Sequence, residues 1–180
     1  MRLFIAVTFP ESVKDYLAKQ ETVLRRFCHR YNFTRRDNFH LTVKFLGEVG
    51  VDRLPEVTKA MDQAAVGMKP FKLTLSRWGC FDRGSRKLLW IGVEGDLSSF
   101  ARLFYRVEEL VEPLGFPREN RKLTAHITMA REAVLKEDWE KVSAALTVEP
   151  KVIPVNGITL MESTRLNGVL TYIPLYEKKF

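Results

Sequence analysis

A short pattern, His-x-Thr with an apolar residue at x, occurs at two positions that lie 86 residues apart. The first copy contains His40 and Thr42, and the second contains His126 and Thr128. Side chains point alternately to the two faces of a β-strand, so each copy places an imidazole and a hydroxyl on one face and apolar residues on the other. The pattern therefore predicts two half-buried strands that present the same pair of polar groups.

The elements predicted around the two copies also correspond. A helix predicted to begin at Glu11 maps onto Leu97 when the same offset is added, and the expected helix cap Asp52 maps onto Asp138. The order β-α-β-α-β is thus predicted twice, followed by a terminal strand that is joined through an Asn167-Gly168 hairpin turn. Residue identity between the halves is weak, so the duplication depends on element order and offset, and an ordinary α+β chain is the alternative.

Length and composition suit a single globular unit. The chain has 180 residues, of which 46% are hydrophobic and 28% are charged, and this is enough for a sizeable core. We interpret it as one α+β domain built from two pseudo-repeats, about residues 1–82 and 86–180. No apolar run approaches the roughly 20 residues of a membrane span, and the N-terminal apolar segment is too short for a signal peptide. We therefore expect a cytoplasmic protein without a membrane partner.

The net charge indicates a class of partner, and the cysteine spacing indicates free thiols. The formal net charge is +7, which favours a polyanion such as RNA or DNA, although surplus charge also serves solubility. Cys28 and Cys80 have no metal-binding spacing with each other or with histidine, so we expect free thiols. His29 lacks the His-x-Thr pattern and is expected on the surface of a charged helical run.

Alternation along the first motif strand also predicts which face each residue after Thr42 occupies. Phe45 is expected on the apolar face, and Lys44 shares the face of His40. We expect Lys44 to be a solvated lysine at the edge of a groove, with a phosphate contact as the alternative. Near the end of the chain, residues 152–161 are predicted to form another strand.

Two imidazoles and two hydroxyls suit the cleavage of a phosphodiester. Imidazole titrates near neutral pH, so one histidine can act as the base while the other acts as the acid. The hydroxyls of Thr42 and Thr128 can donate hydrogen bonds to the phosphate oxygens on which charge accumulates. If a pseudo-twofold axis relates the halves, the two polar faces meet across a groove, and this layout needs no metal.

The chain lacks the residues that other common kinds of catalytic site require. Zinc usually takes three or four ligands, and two histidines without a carboxylate cluster are a poor set. The chain has neither the Gly-x-Ser-x-Gly elbow of serine hydrolases nor a phosphate-binding P-loop. We therefore expect no metal and no cofactor.

Further stretches of the chain match a known family. They are residues 1–7, 9–10, 38–49, 89–93, 126–131 and 161–163. On these residues the chain resembles the two-histidine (2H) phosphoesterases, specifically the RNA 2′,3′-cyclic phosphodiesterases, also called the 2′-5′ RNA ligase family. One departure is Ala125, where the family usually has proline before the second motif histidine. The change removes a backbone restraint and no catalytic group.

The resemblance implies a LigT-like fold, a duplicated βαβαβ architecture with two lobes and antiparallel sheets that flank a central groove. It also implies metal-independent, ATP-independent hydrolysis of a 2′,3′-cyclic phosphate at an RNA end to a 2′-phosphate. By this analogy His126 accepts a proton from water, and His40 donates one to the leaving 3′-oxygen. Thr42 and Thr128 bind the phosphate oxygens. The motifs are symmetric, so the residues alone do not decide which histidine takes which role.

The same resemblance assigns Arg131 a charged contact with the phosphate. Strict alternation from His126 places Arg131 on the wrong face of its strand. We therefore expect the strand to end or to bulge near Ala130.

Two other activities remain open at this point. The same fold could join RNA halves through 2′-5′ linkages, because a 5′-hydroxyl can take the place of water. A non-catalytic RNA-binding module would use the basic groove alone, with an affinity that depends on salt. In each case we expect a monomer whose partners are RNA or nucleotides that carry a 2′,3′-cyclic phosphate.

Overall fold

The chain forms nine strands and four α-helices, and the computed structural model describes all 180 residues. The strands are β1 (Arg2–Val7), β2 (Cys28–Phe33), β3 (Leu41–Glu48), β4 (Phe71–Arg83), β5 (Arg86–Gly95), β6 (His126–Leu135), β7 (Val152–Val155), β8 (Gly157–Leu166) and β9 (Val169–Lys179). The helices are α1 (Glu11–Leu24), α2 (Leu54–Ala65), α3 (Leu97–Val111) and α4 (Trp139–Ala145). None of these helices has both the length and the apolar character needed to cross a membrane.

The strands form two antiparallel sheets. The first sheet has the order β3-β1-β8-β9, and the second has the order β2-β6-β5-β4-β7. With the 86-residue offset, β1, β3 and β4 correspond to β5, β6 and β8. The third strand of each half therefore lies in the sheet of the other half. The predicted α+β class with antiparallel sheets is confirmed, and the boundaries of the two pseudo-repeats remain a prediction.

A single hydrophobic core joins both sheets to the helices. Its main cluster contains 41 buried residues from both halves of the chain. The inner face of β1 contributes Leu3 and Ile5, and β6 contributes Ile127 and Met129, as alternation predicts. Because a shift of one residue would expose these apolar side chains, the core fixes which face of each motif strand carries the histidine and the threonine.

Two local signals position the elements as the sequence predicts. The carboxylate of Asp96 accepts a hydrogen bond from the Ser99 amide at 3.0 Å, and it caps the N-terminus of α3. The β8–β9 hairpin turns at Asn167 and Gly168, whose φ angles of 50° and 78° suit a tight two-residue turn. These residues therefore fix where α3 begins and where the terminal hairpin reverses.

Three local predictions were wrong. His29 is exposed as expected, but it lies in strand β2 and not in a helix, because residues 28–33 pair with β6. The predicted strand over residues 152–161 breaks at Asn156, and its two parts join different sheets. Asp52 lies within a 3-10 turn and makes no capping hydrogen bond to α2.

A β-bulge in β3 changes the faces of the residues that follow it. Val43 has no opposite residue in the β1–β3 ladder, because consecutive residues of β1 pair with Thr42 and Lys44. The extra residue reverses the alternation. Lys44 therefore turns away from the face of Thr42, and Phe45 takes its place there with 60% of its surface exposed. For this reason the predictions of a solvated Lys44 and a buried Phe45 were both wrong.

Lys44 forms a buried ion pair beneath the groove. Its Nζ lies 2.5 Å from Oε1 of Glu108 on α3, and the two side chains are 6% and 2% exposed. The same Nζ donates to the main-chain oxygen of Pro117 at 2.5 Å, and Glu108 Oε2 accepts from the Glu119 amide at 2.7 Å. The pair thus attaches β3 and α3 to the segment that leads to β6.

Removing only one partner of this pair should be costly. Lys44→Met leaves the Glu108 carboxylate buried without a counter-charge, and we expect a loss of about 3–5 kcal/mol in the free energy of unfolding. Combining it with Glu108→Gln should recover most of that loss, since the amide oxygen can still accept from Glu119. Urea titrations of the single and double variants measure both values.

The matched control is Lys141→Met, which breaks an exposed pair with Glu137. It should leave the unfolding midpoint unchanged. A loss for Lys44→Met no larger than that of Lys141→Met would contradict the role assigned to the buried pair.

Candidate active site

The two motif strands lie in different sheets and meet at one groove. A cavity of about 550 Å³ between them is lined by Thr42 from β3 and by His126, Thr128 and Arg131 from β6. His40 is hydrogen-bonded to Thr42 and lines a neighbouring cavity of about 480 Å³. The structure thus brings four of the five predicted side chains around one space, and the fifth borders it through Thr42.

His40 is held from three sides. Its Nδ1 lies 2.7 Å from the main-chain oxygen of Asn38, and its Nε2 lies 3.0 Å from Thr42 Oγ1. The rings of Phe4 and Tyr172 pack against the imidazole, with centroid distances of 4.8 Å and 5.3 Å. Because a carbonyl oxygen only accepts, Nδ1 carries the proton, and the neutral ring accepts the Thr42 hydroxyl proton at Nε2.

His126 has the same arrangement at its Nδ1. That atom donates to the main-chain oxygen of Thr124 at 2.7 Å, and no protein atom is hydrogen-bonded to Nε2. Phe81 and Trp90 flank the ring, with centroid distances of 5.1 Å and 5.9 Å. A Cβ added at Gly79 would lie 2.2 Å from the Trp90 ring, so glycine is required beside it. The neutral imidazole therefore keeps a free lone pair on Nε2.

Burial keeps both rings neutral at neutral pH. Burial lowers the pKa of His40 to about 4, against the opposing effect of its bond to Asn38. Burial also lowers the pKa of His126, and the bond to Thr124 again opposes it. The positive charge of Arg131 lowers the pKa of both histidines, and the charge of His126 lowers that of His40. The two imidazoles and the guanidinium therefore lie close enough to influence one another.

Arg131 reaches the groove because β6 bulges, as predicted. Leu89 and Trp90 are consecutive in β5, but they pair with Ala130 and Thr128 of β6, so Met129 is an extra residue and the alternation reverses before Arg131. A second irregularity follows between Ala130 and Ala133. Glu132 has a φ of 53°, an uncommon value outside glycine. The bulge turns Arg131 toward the side of the groove, where it lines the same cavity as His126.

The structure adds a basic wall that the sequence analysis did not identify. Arg83, Arg121 and Lys122 line the groove and have no carboxylate partner. Among the acidic residues that line it, Asp82 is paired with Lys87 and Glu108 with Lys44, and Glu119 has no cation partner. The adjacent basic residues Arg121 and Lys122, just before the second motif histidine, were a signal in the sequence that could have predicted this basic wall.

The groove holds no obvious metal ligands. No group of three or more His, Cys, Asp or Glu side chains in the structure is placed to hold a metal ion. Cys28 and Cys80 are free thiols, as expected.

Comparisons with known proteins agree with this fold and identify the family. Residues 7–90 match the family described as LigT like phosphoesterase. Relatives named RNA 2′,3′-cyclic phosphodiesterase include one from Thermotoga maritima, 28% identical over 100% of this chain and 96% of the relative. Another, from Archaeoglobus fulgidus, is 33% identical over 73% of this chain and 72% of the relative. A third, from Thermus thermophilus, is 32% identical over 91% of this chain and 82% of the relative.

Solved structures show the same architecture over nearly the whole chain. The crystal structure of a Thermus thermophilus protein has a TM-score of 0.83 at 26% identity and covers 99% of this chain and 97% of its own. That of Escherichia coli LigT with 3′-AMP has a TM-score of 0.81 at 24% identity and covers the same shares. The LigT-like fold predicted from the resemblance is confirmed.

The fold and the sequence relatives together define a phosphoesterase of the two-histidine class. Within that class the chain belongs to the family of LigT-like phosphoesterases, whose relatives at 28–33% identity are named RNA 2′,3′-cyclic phosphodiesterases.

The lowered pKa of His40 makes the stability of the fold sensitive to acid. Between pH 6.5 and about 4 the unfolded histidine binds a proton and the folded one does not, so unfolding takes up a proton. The free energy of unfolding should therefore fall by about 3 kcal/mol from this residue alone as the pH drops through that window. Urea titrations at a series of pH values measure the slope.

His40→Gln should flatten this dependence, and the variant of the exposed residue, His29→Gln, should retain it. Equal slopes for His40→Gln and the unmodified protein would contradict the burial of a neutral imidazole.

Proposed function

We propose that this protein hydrolyses 2′,3′-cyclic phosphates at RNA ends to 2′-phosphates without a metal ion. The observation that carries the proposal is a pair of histidines whose tautomers are fixed by main-chain oxygens, each with a threonine hydroxyl two residues on. His126 lines the basic groove, and His40 is hydrogen-bonded to Thr42 in the wall of that groove. The names of the sequence relatives give the substrate class. A monomer in the cytoplasm remains the expectation from the sequence.

In the proposed reaction His126 activates water. Its free Nε2 lone pair accepts a proton while the water oxygen forms a bond to phosphorus. The bond between phosphorus and the 3′-oxygen breaks in line with the attack, and protonated His40 gives its Nε2 proton to that oxygen. The product keeps the phosphate on the 2′-oxygen.

To donate a proton, His40 must first be protonated, and the protein groups around it disfavour that charged form. With a pKa of about 4 the free ring is almost wholly neutral at pH 7. A bound anionic phosphate favours the imidazolium and raises this pKa. Protonation also ends the bond in which Thr42 donates to Nε2, so Nε2–H can donate to the leaving 3′-oxygen and the Thr42 hydroxyl can donate to a phosphate oxygen.

Thr128 and Arg131 complete the contacts with phosphate. The Thr128 hydroxyl lines the groove without a protein partner and can donate to a non-bridging oxygen. The Arg131 guanidinium supplies a positive charge beside both histidines, where negative charge accumulates during the displacement.

His40→Ala and His126→Ala should each reduce kcat by about 10²–10⁴-fold, since each removes one step of acid–base catalysis. The measurement is turnover of an oligonucleotide that ends in a 2′,3′-cyclic phosphate, followed by phosphorus NMR in EDTA. The 2′-phosphate should be the sole product. His29→Ala is the control and should retain full activity.

Loss of turnover on chelation, a 3′-phosphate product, or near-normal rates in both histidine variants would overturn the proposed mechanism.

The basic wall of the groove suits a substrate with several phosphates. If Arg121 and Lys122 each contact one phosphate of the RNA body, changing both to alanine should lower the slope of log KM against the logarithm of the salt concentration by about 1.4. The affinity for an oligonucleotide should fall, and kcat/KM for a cyclic mononucleotide should remain unchanged. Steady-state kinetics at several salt concentrations measure both effects.

The control pair, Lys19→Ala with Arg26→Ala, removes the same charge from exposed positions on and just after α1 that line neither cavity. An equal loss in this control would show that net charge, and not the groove wall, sets the affinity.

A further inference from the structure

The most constrained polar residue near the site is Asn38, which lies just before β3 and is 5% exposed. Its main-chain oxygen accepts the Nδ1 proton of His40 at 2.7 Å. Its side chain makes two further bonds, both to the main chain of β9. Nδ2 donates to the Leu170 oxygen at 2.9 Å, and Oδ1 accepts from the Tyr172 amide at 3.2 Å.

These two bonds replace a missing neighbouring strand. β9 is an edge strand, paired only with β8, so alternate main-chain groups of β9 have no strand partner on their outer side. The Leu170 oxygen and the Tyr172 amide lie two residues apart, so both point to the outer side of the edge strand. The Asn38 carboxamide supplies a donor to the first and an acceptor to the second from one side chain.

The contact also joins opposite edges of one sheet. β3 and β9 are the two outermost strands of the first sheet. Asn38, three residues before β3, contacts β9 because the sheet curls so that its two edges approach each other there. β9 also supplies the Tyr172 ring, which packs edge-on against His40.

We propose that Asn38 is a positioning residue for proton transfer by His40, because its side chain anchors to β9 the peptide group whose oxygen fixes the His40 ring. The role in turnover rests on the proposed function, and the role in fixing the ring does not. Without the carboxamide, two main-chain groups of β9 lose their partners. The 38–39 peptide then keeps only the long bond from the Phe39 amide to the Arg36 oxygen at 3.3 Å, so it can rotate more readily.

Rotation of that peptide has a defined chemical consequence. If the Asn38 oxygen no longer accepts from Nδ1, the neutral imidazole can place its proton on Nε2 and donate to Thr42. Nε2 then no longer accepts the Thr42 hydroxyl proton, and the ring is free to turn within its aromatic pocket. A displacement of about 1 Å in a catalytic group can cost about 10²-fold in rate.

The test compares Asn38→Ala with Asn32→Ala, a control that changes an exposed asparagine in β2. Nitrogen NMR of imidazole-labelled protein reports the tautomer of each histidine without any substrate. In the unmodified protein and in Asn32→Ala, neutral His40 should carry its proton on Nδ1. In Asn38→Ala a substantial Nε2–H population should appear for His40, and His126 should be unchanged.

Kinetics supply the second measurement. Asn38→Ala should reduce kcat by about 10- to 100-fold with KM within twofold, since phosphate binding by the groove is retained. Asn38→Asp keeps the acceptor for the Tyr172 amide and loses the donor to Leu170. It should give a smaller tautomer shift, and it replaces Asn38→Ala if that variant does not fold.

An unchanged His40 tautomer in a folded Asn38 variant would overturn the positioning role, whatever the activity. A rise in KM with kcat unchanged would also overturn it, because Asn38 would then act on substrate binding. If the unmodified protein turns over no cyclic phosphate, the proposed function fails, and the NMR comparison still tests Asn38.

Discussion

Each motif histidine donates its Nδ1 proton to the main-chain oxygen two residues before it, at 2.7 Å in both copies. The oxygens belong to Asn38 and Thr124, which lie just outside the strands. This bond decides the tautomer and directs Nε2 toward the side where the threonines lie. Acid–base chemistry at Nε2 is possible only while both carbonyls keep their orientation, so the rest of the site depends on what holds these two peptide groups.

The two halves hold these peptide groups by different means. In the first half, Asn38 is fixed to the edge strand β9 through its side chain. In the second half, Thr124 ends a long segment after α3, and the buried Lys44–Glu108 pair binds that segment at Pro117 and Glu119. A shared local geometry therefore has different supports in the two halves of the chain.

The groove combines neutral imidazoles with uncompensated cations. Burial keeps His40 and His126 unprotonated, and Arg131 lowers their pKa further. Arg83, Arg121 and Lys122 have no carboxylate partners, so the groove attracts anions before any histidine is charged. An anion that enters also raises the proton affinity of His40. In the proposed mechanism, binding of the substrate and protonation of His40 are thereby coupled through the same charge.

The sequence by itself determined that each motif places its histidine and threonine on one face, and it determined the Asp96 cap, the Asn167-Gly168 turn and the order of most elements. These features follow from alternation and local turn chemistry within a few residues. Only the tertiary structure decided that residues 28–33 form a strand, that Val43 bulges and buries Lys44, and that Asn38 bonds to β9. Each of these depends on a partner distant in the chain, because a strand needs a neighbour, a bulge is a mismatch between two strands, and a buried charge needs its counter-ion. Local periodicity contains no information about such partners, so the sequence predicted the two histidine–threonine pairs and not the contacts that hold them in place.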